Sequence, residues 1–325
     1  MLTSQTMIEE STPNSVNVET RVAVIVCTRG RPSLDNLLQS IRICQPVPSV
    51  VVVVDASIGQ TPGQTSIEHS GGTPMRIIRV GATPGLPHQR NIGVDFILSR
   101  EEFCDCDIVS FLDDDVEVSP NYFNELTRCF DFKEDLIGVG AVDDGQVQVQ
   151  NTRLVFRLML VTSRHRGKVL SSGFATLPSA VAFLSESEWV PGFAMSFRRY
   201  VFETNQFDHR ISFYGEDLEF QLRIAHLGKI AISSSLRVRH KQSPLSRDSI
   251  RDHWSYSDGF RWSMAYRFPH RVTSFAVIWS TMGLMLLEVA RFARSGARRR
   301  PSELLGHYDF LCRLMSKKEV EKLRK

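Results

Sequence analysis

No two of the six cysteines stand at CxxC spacing, and none falls at intervals suited to a structural zinc. Cys27 lies inside an apolar run and Cys129 on an apolar helical stripe, so buried thiols in a reducing cytoplasm are expected. Cys104 and Cys106, which flank Asp105, would need two further ligands from elsewhere to hold a soft metal. The first twenty residues lack the basic start and apolar stretch of a secretion signal. They are expected to form a disordered lead-in to a protein that is not secreted. Excess charge of one sign is also missing. Lys+Arg 39 against Asp+Glu 36 leaves +3, which argues neither way about a polyanion, and no nucleic-acid partner is expected. There is no internal repeat. After the first apolar run, CTRGRPS offers only Gly30 where a glycine-rich phosphate loop would carry several glycines.

What is present is an alternation of apolar strands and amphipathic helices. With 325 residues and 42% hydrophobic content there is material for one large domain, or two modest ones sharing a core. In RVAVIVCTRGRP, Val22 to Cys27 is continuously apolar, as in a strand buried on both faces of a parallel sheet. After Pro32 and Ser33, a helix aligns Leu34, Leu37, Leu38 and Ile41. SVVVVVDAS predicts a second buried strand ending at Asp55, and MRIIRV a third. Beyond a turn from Gly81 to Gly85, LPHQRNIGVDFIL reads as a helix with Ile92 and Phe96 facing inward. DIVSFL is a fourth strand. Ser119 and Pro120 then serve as N-cap and first-turn residues of a helix burying Tyr122, Phe123, Leu126, Cys129 and Phe130. This rhythm predicts a doubly wound α/β sheet, in which ligands bind beyond the carboxyl ends of the strands. Thr28 with Arg29, Asp55, and Asp113 to Asp115 all stand just past strand ends, so three strands aim polar residues at one edge.

The segment SFLDDDVEVSP places three carboxylates side by side, an arrangement that repels itself. A hard divalent cation, Mg2+ or Mn2+, would turn that repulsion into attraction, with a diphosphate supplying the remaining ligands. A solvated acidic turn before a helix N-terminus is the alternative. From about Gly145 to Glu188 no period is sustained. The pattern returns at WVPGFAMSFRR. Further on, Leu218, Leu222 and Ala225 mark a helix starting near Glu216; Gly228 stops it, and KIAIS follows as a strand.

Seven segments occur in order: IVCTRGRP, VVVVVDAS, GLPHQRNIG, FLDDD, GFAMSFRR, YGEDLEFQLR and VRHKQ. From Val22 to about Pro244 the chain thereby resembles an inverting glycosyltransferase of the family 2 type. The resemblance implies a GT-A fold over 21–245, with a Rossmann-like nucleotide-sugar half (21–118) fused to an acceptor half (119–245). It implies that Thr28, Arg29 and Asp55 hold the nucleotide and that Arg90 sits near the base or diphosphate. Asp113 and Asp114 would bind ribose or sugar hydroxyls and Asp115 the metal. The division of duties among the three stays open, and Asp113 is also a candidate ligand. His240 would complete the metal site if its imidazole is neutral; a plain surface histidine between Arg239 and Lys241 is the other reading. In YGEDLEF, Asp217 would be the general base, beside Glu216. Helix-start carboxylates favoured by the dipole are the alternative for both. Trp189 and Gly192, with Phe193, would line the acceptor site, or be core and turn.

The implied activity is metal-dependent transfer of a sugar from a nucleotide sugar to a hydroxyl of a saccharide or lipid-linked saccharide. Asp55 fits uracil or thymine, hence a UDP- or dTDP-sugar, better than guanine, with a GDP-sugar left open. Alternatives are a nucleotidyltransferase making nucleotide sugars, which the missing glycine loop disfavours, and a silent nucleotide- or carbohydrate-binding scaffold. A dehalogenase-like phosphatase would need Thr or Val where Glu117 stands.

The last third, 246–325, is expected to be helical and basic. The sixteen uncharged residues Val272–Leu287 reach about 24 Å as a helix, short of the ~30 Å hydrocarbon core. Thr273, Ser274, Ser280, Thr281 and Glu288 give that helix a polar stripe, which favours an interfacial or core-packed position over a spanning one. Arg267, His270 and Arg271 precede it, and Arg291, Arg294, Arg298, Arg299 and Arg300 follow. Such flanks suit contact with an anionic cytoplasmic membrane face; a solvated basic tail is the alternative.

Overall fold

The computed structural model describes residues 21–58, 68–70, 73–145, 153–211, 215–241, 250–294 and 302–316. The lead-in 1–20 lies outside these residues. In chain order the elements are β1 (Val22–Thr28), α1 (Ser33–Arg42), β2 (Val50–Asp55), β3 (Glu68–Ser70), β4 (Thr73–Gly81) and α2 (Leu86–Leu98). Then come β5 (Ile108–Asp113), β6 (Val116–Val118), α3 (Tyr122–Phe132), β7 (Leu136–Asp143), α4 (Leu154–Leu158) and β8 (Leu184–Ser187). The chain continues through β9 (Ala194–Arg198), α5 (Glu216–Ile224), β10 (Lys229–His240), α6 (Ile250–Arg267), α7 (Ser274–Arg294) and α8 (Ser302–Leu314).

The strands form one mixed sheet in the order β3-β4-β2-β1-β5-β9-β7-β10-β6, with β8 also paired to β10. β4, β2, β1 and β5 run parallel, with α1 lying between β1 and β2 in the chain and α2 between β4 and β5. β9 is antiparallel to both β5 and β7. The valine-rich β1 and β2 are buried on both faces, as their unbroken apolar sequences require. One side of the sheet packs against Leu34, Leu37, Leu38 and Ile41 of α1 and Phe123, Leu126 and Phe130 of α3. On the other side lie Val94 and Ile97 of α2 and Phe220 and Ile224 of α5. A third cluster joins Leu218 and Leu222, on another face of α5, to Phe260, Trp262, Met264, Val277 and Phe310 of the C-terminal helices.

Several local expectations change. α2 buries Gln89, Arg90, Gly93, Val94 and Ile97, while Ile92 and Phe96 are only partly covered. Its polar residues turn inward because the Gln89 amide donates to the carbonyls of Thr28 (3.0 Å) and Val54 (2.9 Å), where adjacent strands end. α3 starts at Tyr122, with Asn121 before it and no side-chain cap, so Ser119 does not cap it. The strand begun by KIAIS extends to His240 and pairs there with Val116. α7 spans 21 residues, about 31 Å, longer than its uncharged segment.

Candidate active site

Three strand ends and one helix start meet at the carboxyl edge of the parallel strands. Thr28 and Asp55 are register partners at the ends of β1 and β2. Beyond Thr28 the chain turns through Gly30, whose φ of +73° lies in the left-handed region that glycine tolerates. The Thr28 hydroxyl accepts the Gly30 N–H (3.2 Å) and donates to Asp114 Oδ2 (2.7 Å). The turn brings Arg31 onto Asp114 Oδ1 at 3.1 Å and within 3.9 Å of Asp115 Oδ2, while Arg29 is left exposed. Arg31 is thus a site residue the sequence reading missed, its signal being only its place in the same turn. Asp55 is buried, and its Oδ1 accepts the N–H and hydroxyl of Ser57.

The three aspartates occupy different environments. Asp114 is buried against Thr28 and Arg31. Its pKa is raised by burial, which outweighs the lowering by Thr28 and Arg31. Asp113 is half-buried and Asp115 buried; with His240 they offer one ligand atom each, all within 4.8 Å of one another. β6 makes this possible, because it leaves β5 after only two residues and pairs antiparallel with the end of β10. His240 Nε2 lies 3.1 Å from Asp115 Oδ1, its ring centroid is 4.9 Å from that of Phe193, and Lys241 N–H donates to the Asp115 carbonyl. Burial lowers the His240 pKa, but the hydrogen bond and charge of Asp115 overcome this and raise it. Burial raises the Asp113 carboxyl to about 6; Arg90 opposes this and Asp115 adds to it.

The donor set fits a hard divalent ion: two carboxylates and an imidazole converge, and their crowded charges would be relieved by a cation. Among the described residues, no other group of acidic, His or Cys side chains converges in this way. Cys104 is exposed and Cys106 buried, and among the described residues no third Asp, Glu, His or Cys converges with them.

On the opposite side stand Glu216 and Asp217, the first residues of α5. Gly215, at φ +85°, sets the entry to the helix; a Cβ there would meet the Phe260 ring at 2.4 Å. Asp217 accepts the N–H of Gly192 through Oδ2 and of Leu218 through Oδ1, both at 2.8 Å. Burial, then the charge of Glu216, raise its pKa to about 7 despite Arg90 and these two hydrogen bonds. Glu216 accepts a 2.9 Å hydrogen bond from Arg90 Nη1. Arg90 is itself 2% exposed. Its Nη2 donates to the Gly192 carbonyl (3.2 Å) and lies 3.8 Å from Asp113 Oδ1, and its guanidinium sits over Phe207 and Phe111. Burial works against its charge, but Glu216 and Asp113 raise its pKa. Arg90 therefore connects the cation-ready cluster to the helix bearing Asp217, as a buried counter-ion.

Gly192 fits tightly between these groups. A Cβ would come within 3.0 Å of both Arg90 Nη2 and Asp217 Oδ2. Gln221, which the sequence reading also missed, anchors the same segment: it exchanges hydrogen bonds with the Val190 N–H (2.7 Å) and carbonyl (2.8 Å). Trp189 donates its indole N–H to the Thr176 carbonyl (3.0 Å) and packs against the cluster shared by α5 and the C-terminal helices. That gives Trp189 a packing role at the junction.

No family model matches the chain, and no curated protein sequence matches it. Among solved structures, GalNAc-T7 with UDP, GalNAc and Mn2+ is similar over 86% of this chain at 15% identity and a TM-score of 0.49. The chain spans 58% of that protein's length. S. aureus TarS is similar over 83% of this chain and 43% of its own at 14% identity (TM-score 0.43). Its fragment 1-349 is similar over 93% and 82% at 13% identity (TM-score 0.46).

Proposed function

We propose that the protein is a metal-dependent inverting glycosyltransferase. It would move a sugar from a nucleotide-sugar donor to a hydroxyl of a saccharide or lipid-linked saccharide. The observation that carries this reading is the pairing of two unlike acidic sites on one sheet edge. Asp113, Asp115 and His240 form a cation-ready cluster, and Asp217 is a carboxyl poised near neutrality. Arg90 joins the two. Transfer with inversion needs both, a place to neutralise a departing diphosphate and a base for the incoming hydroxyl.

In this reading Asp217 accepts the acceptor hydroxyl's proton while that oxygen bonds the anomeric carbon, and the bond from that carbon to the diphosphate oxygen breaks with its electron pair. A pKa of about 7 suits the task, since a large share of the carboxyl is ionised at neutral pH and the carboxylate is basic enough to hold a proton. The Gly192 and Leu218 N–H groups orient it. Glu216, ion-paired to Arg90, raises the basicity of Asp217 through its charge and positions the guanidinium. Asp113, Asp115 and His240 would hold the Mn2+ or Mg2+, which when bound would offset the charge developing on the leaving nucleoside diphosphate. Thr28 and Arg31 keep Asp114 packed behind this cluster. Asp55, at the end of β2, is assigned to the base, with a UDP- or dTDP-sugar favoured. The segment 145–188 is assigned to the acceptor side, and the reduced thiols suit residence in the cytoplasm.

Incubation with a panel of nucleotide sugars and Mn2+ tests this. Slow release of nucleoside diphosphate from one of them, stopped by EDTA, is expected. No release and no nucleotide binding from any donor would end the reading.

A further inference from the structure

On α7 the polar stripe faces the protein and the apolar side faces out. Ser280 and Thr281 are fully buried, and their hydroxyls accept hydrogen bonds from the Arg261 guanidinium at 2.7 and 3.0 Å. On the other side Phe275, Trp279, Met282, Leu286 and Val289 recur at intervals of three and four. They are 77, 49, 52, 67 and 49% exposed. A helix on a water-facing surface has the reverse arrangement. α4 extends the face. Trp279 Nε1 donates to the Leu158 carbonyl (2.9 Å), and Leu154 and Leu158 are 63 and 64% exposed.

The stretches of chain that carry this face are rich in arginine and poor in acid. Residues 153–166 contain Arg153, Arg157, Arg164 and Arg166 and no acid. Between Arg271 and Arg294 the sole acid is Glu288, which is ion-paired with Arg291. Three more arginines, 298–300, follow in the sequence.

We infer that the outward face of α7 with α4 seats the protein on an anionic lipid bilayer, lying in the interface plane without crossing it. Apolar side chains enter the headgroup–acyl boundary while surrounding arginines meet lipid phosphates. A water-soluble partner protein would satisfy the apolar side chains but not account for the excess of arginine in the stretches that flank them. At about 31 Å α7 is long enough to span. Spanning would pull Ser280 and Thr281 away from the buried Arg261, whose guanidinium also pairs with Asp258. The inference concerns a surface other than the active site and does not depend on the reaction proposed there.

Sedimentation of the full chain with vesicles tests it, using phosphatidylcholine alone and phosphatidylcholine mixed with phosphatidylglycerol. The protein should pellet with the mixed vesicles, and less so in high salt. Met282→Glu combined with Leu286→Glu should lower the vesicle-bound fraction about tenfold, with the unfolding temperature in solution unchanged. Arg157→Gln combined with Arg164→Gln should weaken binding to the anionic vesicles alone. Failure of the wild type to bind either vesicle, or equal pelleting of the wild type and the Met282/Leu286 variant, overturns the inference. So does a dimer seen by light scattering that this variant splits, which would make the occupant a second copy of the chain.

Discussion

Replacing Asp217 by Asn should leave the protein without transfer activity yet more stable at pH 8. The carboxyl's pKa rises from 3.8 to about 7 on folding, because the side chain is withdrawn from water beside Glu216, with Arg90 compensating only in part. A raised carboxyl pKa means that the folded state holds more protons than the unfolded state between those two values. This group's contribution to stability therefore falls as pH rises through that window and levels off above about 7. Three units correspond to roughly 4 kcal/mol of ionisation penalty at pH 8. Asn carries no such penalty, but its NH2 cannot accept one of the two backbone N–H groups that Asp217 satisfies. That loss costs about 1–3 kcal/mol. The net gain at pH 8 is about 1–3 kcal/mol. At pH 5 the wild-type carboxyl is protonated when folded, and the variant's advantage should shrink by about 3 kcal/mol. Unfolding curves of both proteins at the two pH values give this double difference free of the hydrogen-bond term. Donor binding should persist in the variant. A stability difference that is the same at pH 5 and pH 8 would refute the assignment of a near-neutral, strained carboxylate to Asp217.

Transfer by the wild type should increase with pH up to a plateau above about 7, following deprotonation of Asp217; initial rates across pH 5 to 9 at saturating donor measure this, and a rate that falls over that range would contradict it. Gly192→Ala should cost more in kcat than in donor affinity, since the added Cβ presses on both Arg90 and Asp217. Steady-state kinetics separate the two. Arg90→Met removes the buried partner of Glu216 and lies close to Asp113, so denaturant unfolding should show a loss of about 3–5 kcal/mol.

What the sequence showed and what it hid follow from the range of the forces involved. β1, β2 and β5 were legible because burial on both faces demands apolar residues, continuous in β1 and β2 and interrupted only by Ser110 in β5, and their ends fix where Thr28, Asp55 and Asp113 stand. The helix beginning at Glu216 was legible from the spacing of Leu218 and Leu222. Hidden were the choices made by side chains across the fold. That Arg31 and not Arg29 reaches the aspartates depends on the left-handed Gly30, a dihedral that adjacent residue types do not dictate. That Gln89 and Arg90 turn inward depends on carbonyls and carboxylates supplied by other elements. The outward apolar face of α7 was equally hidden, because a periodic pattern defines two faces without saying which one meets the protein.

In the proposed reaction Asp113, Asp115 and His240 hold a divalent ion against a diphosphate, which anomalous diffraction from crystals grown with manganese and UDP would reveal. One strong manganese peak, coordinated by these side chains and by diphosphate oxygens, is expected. Manganese bound elsewhere, with the three side chains turned away from the nucleotide, would contradict it.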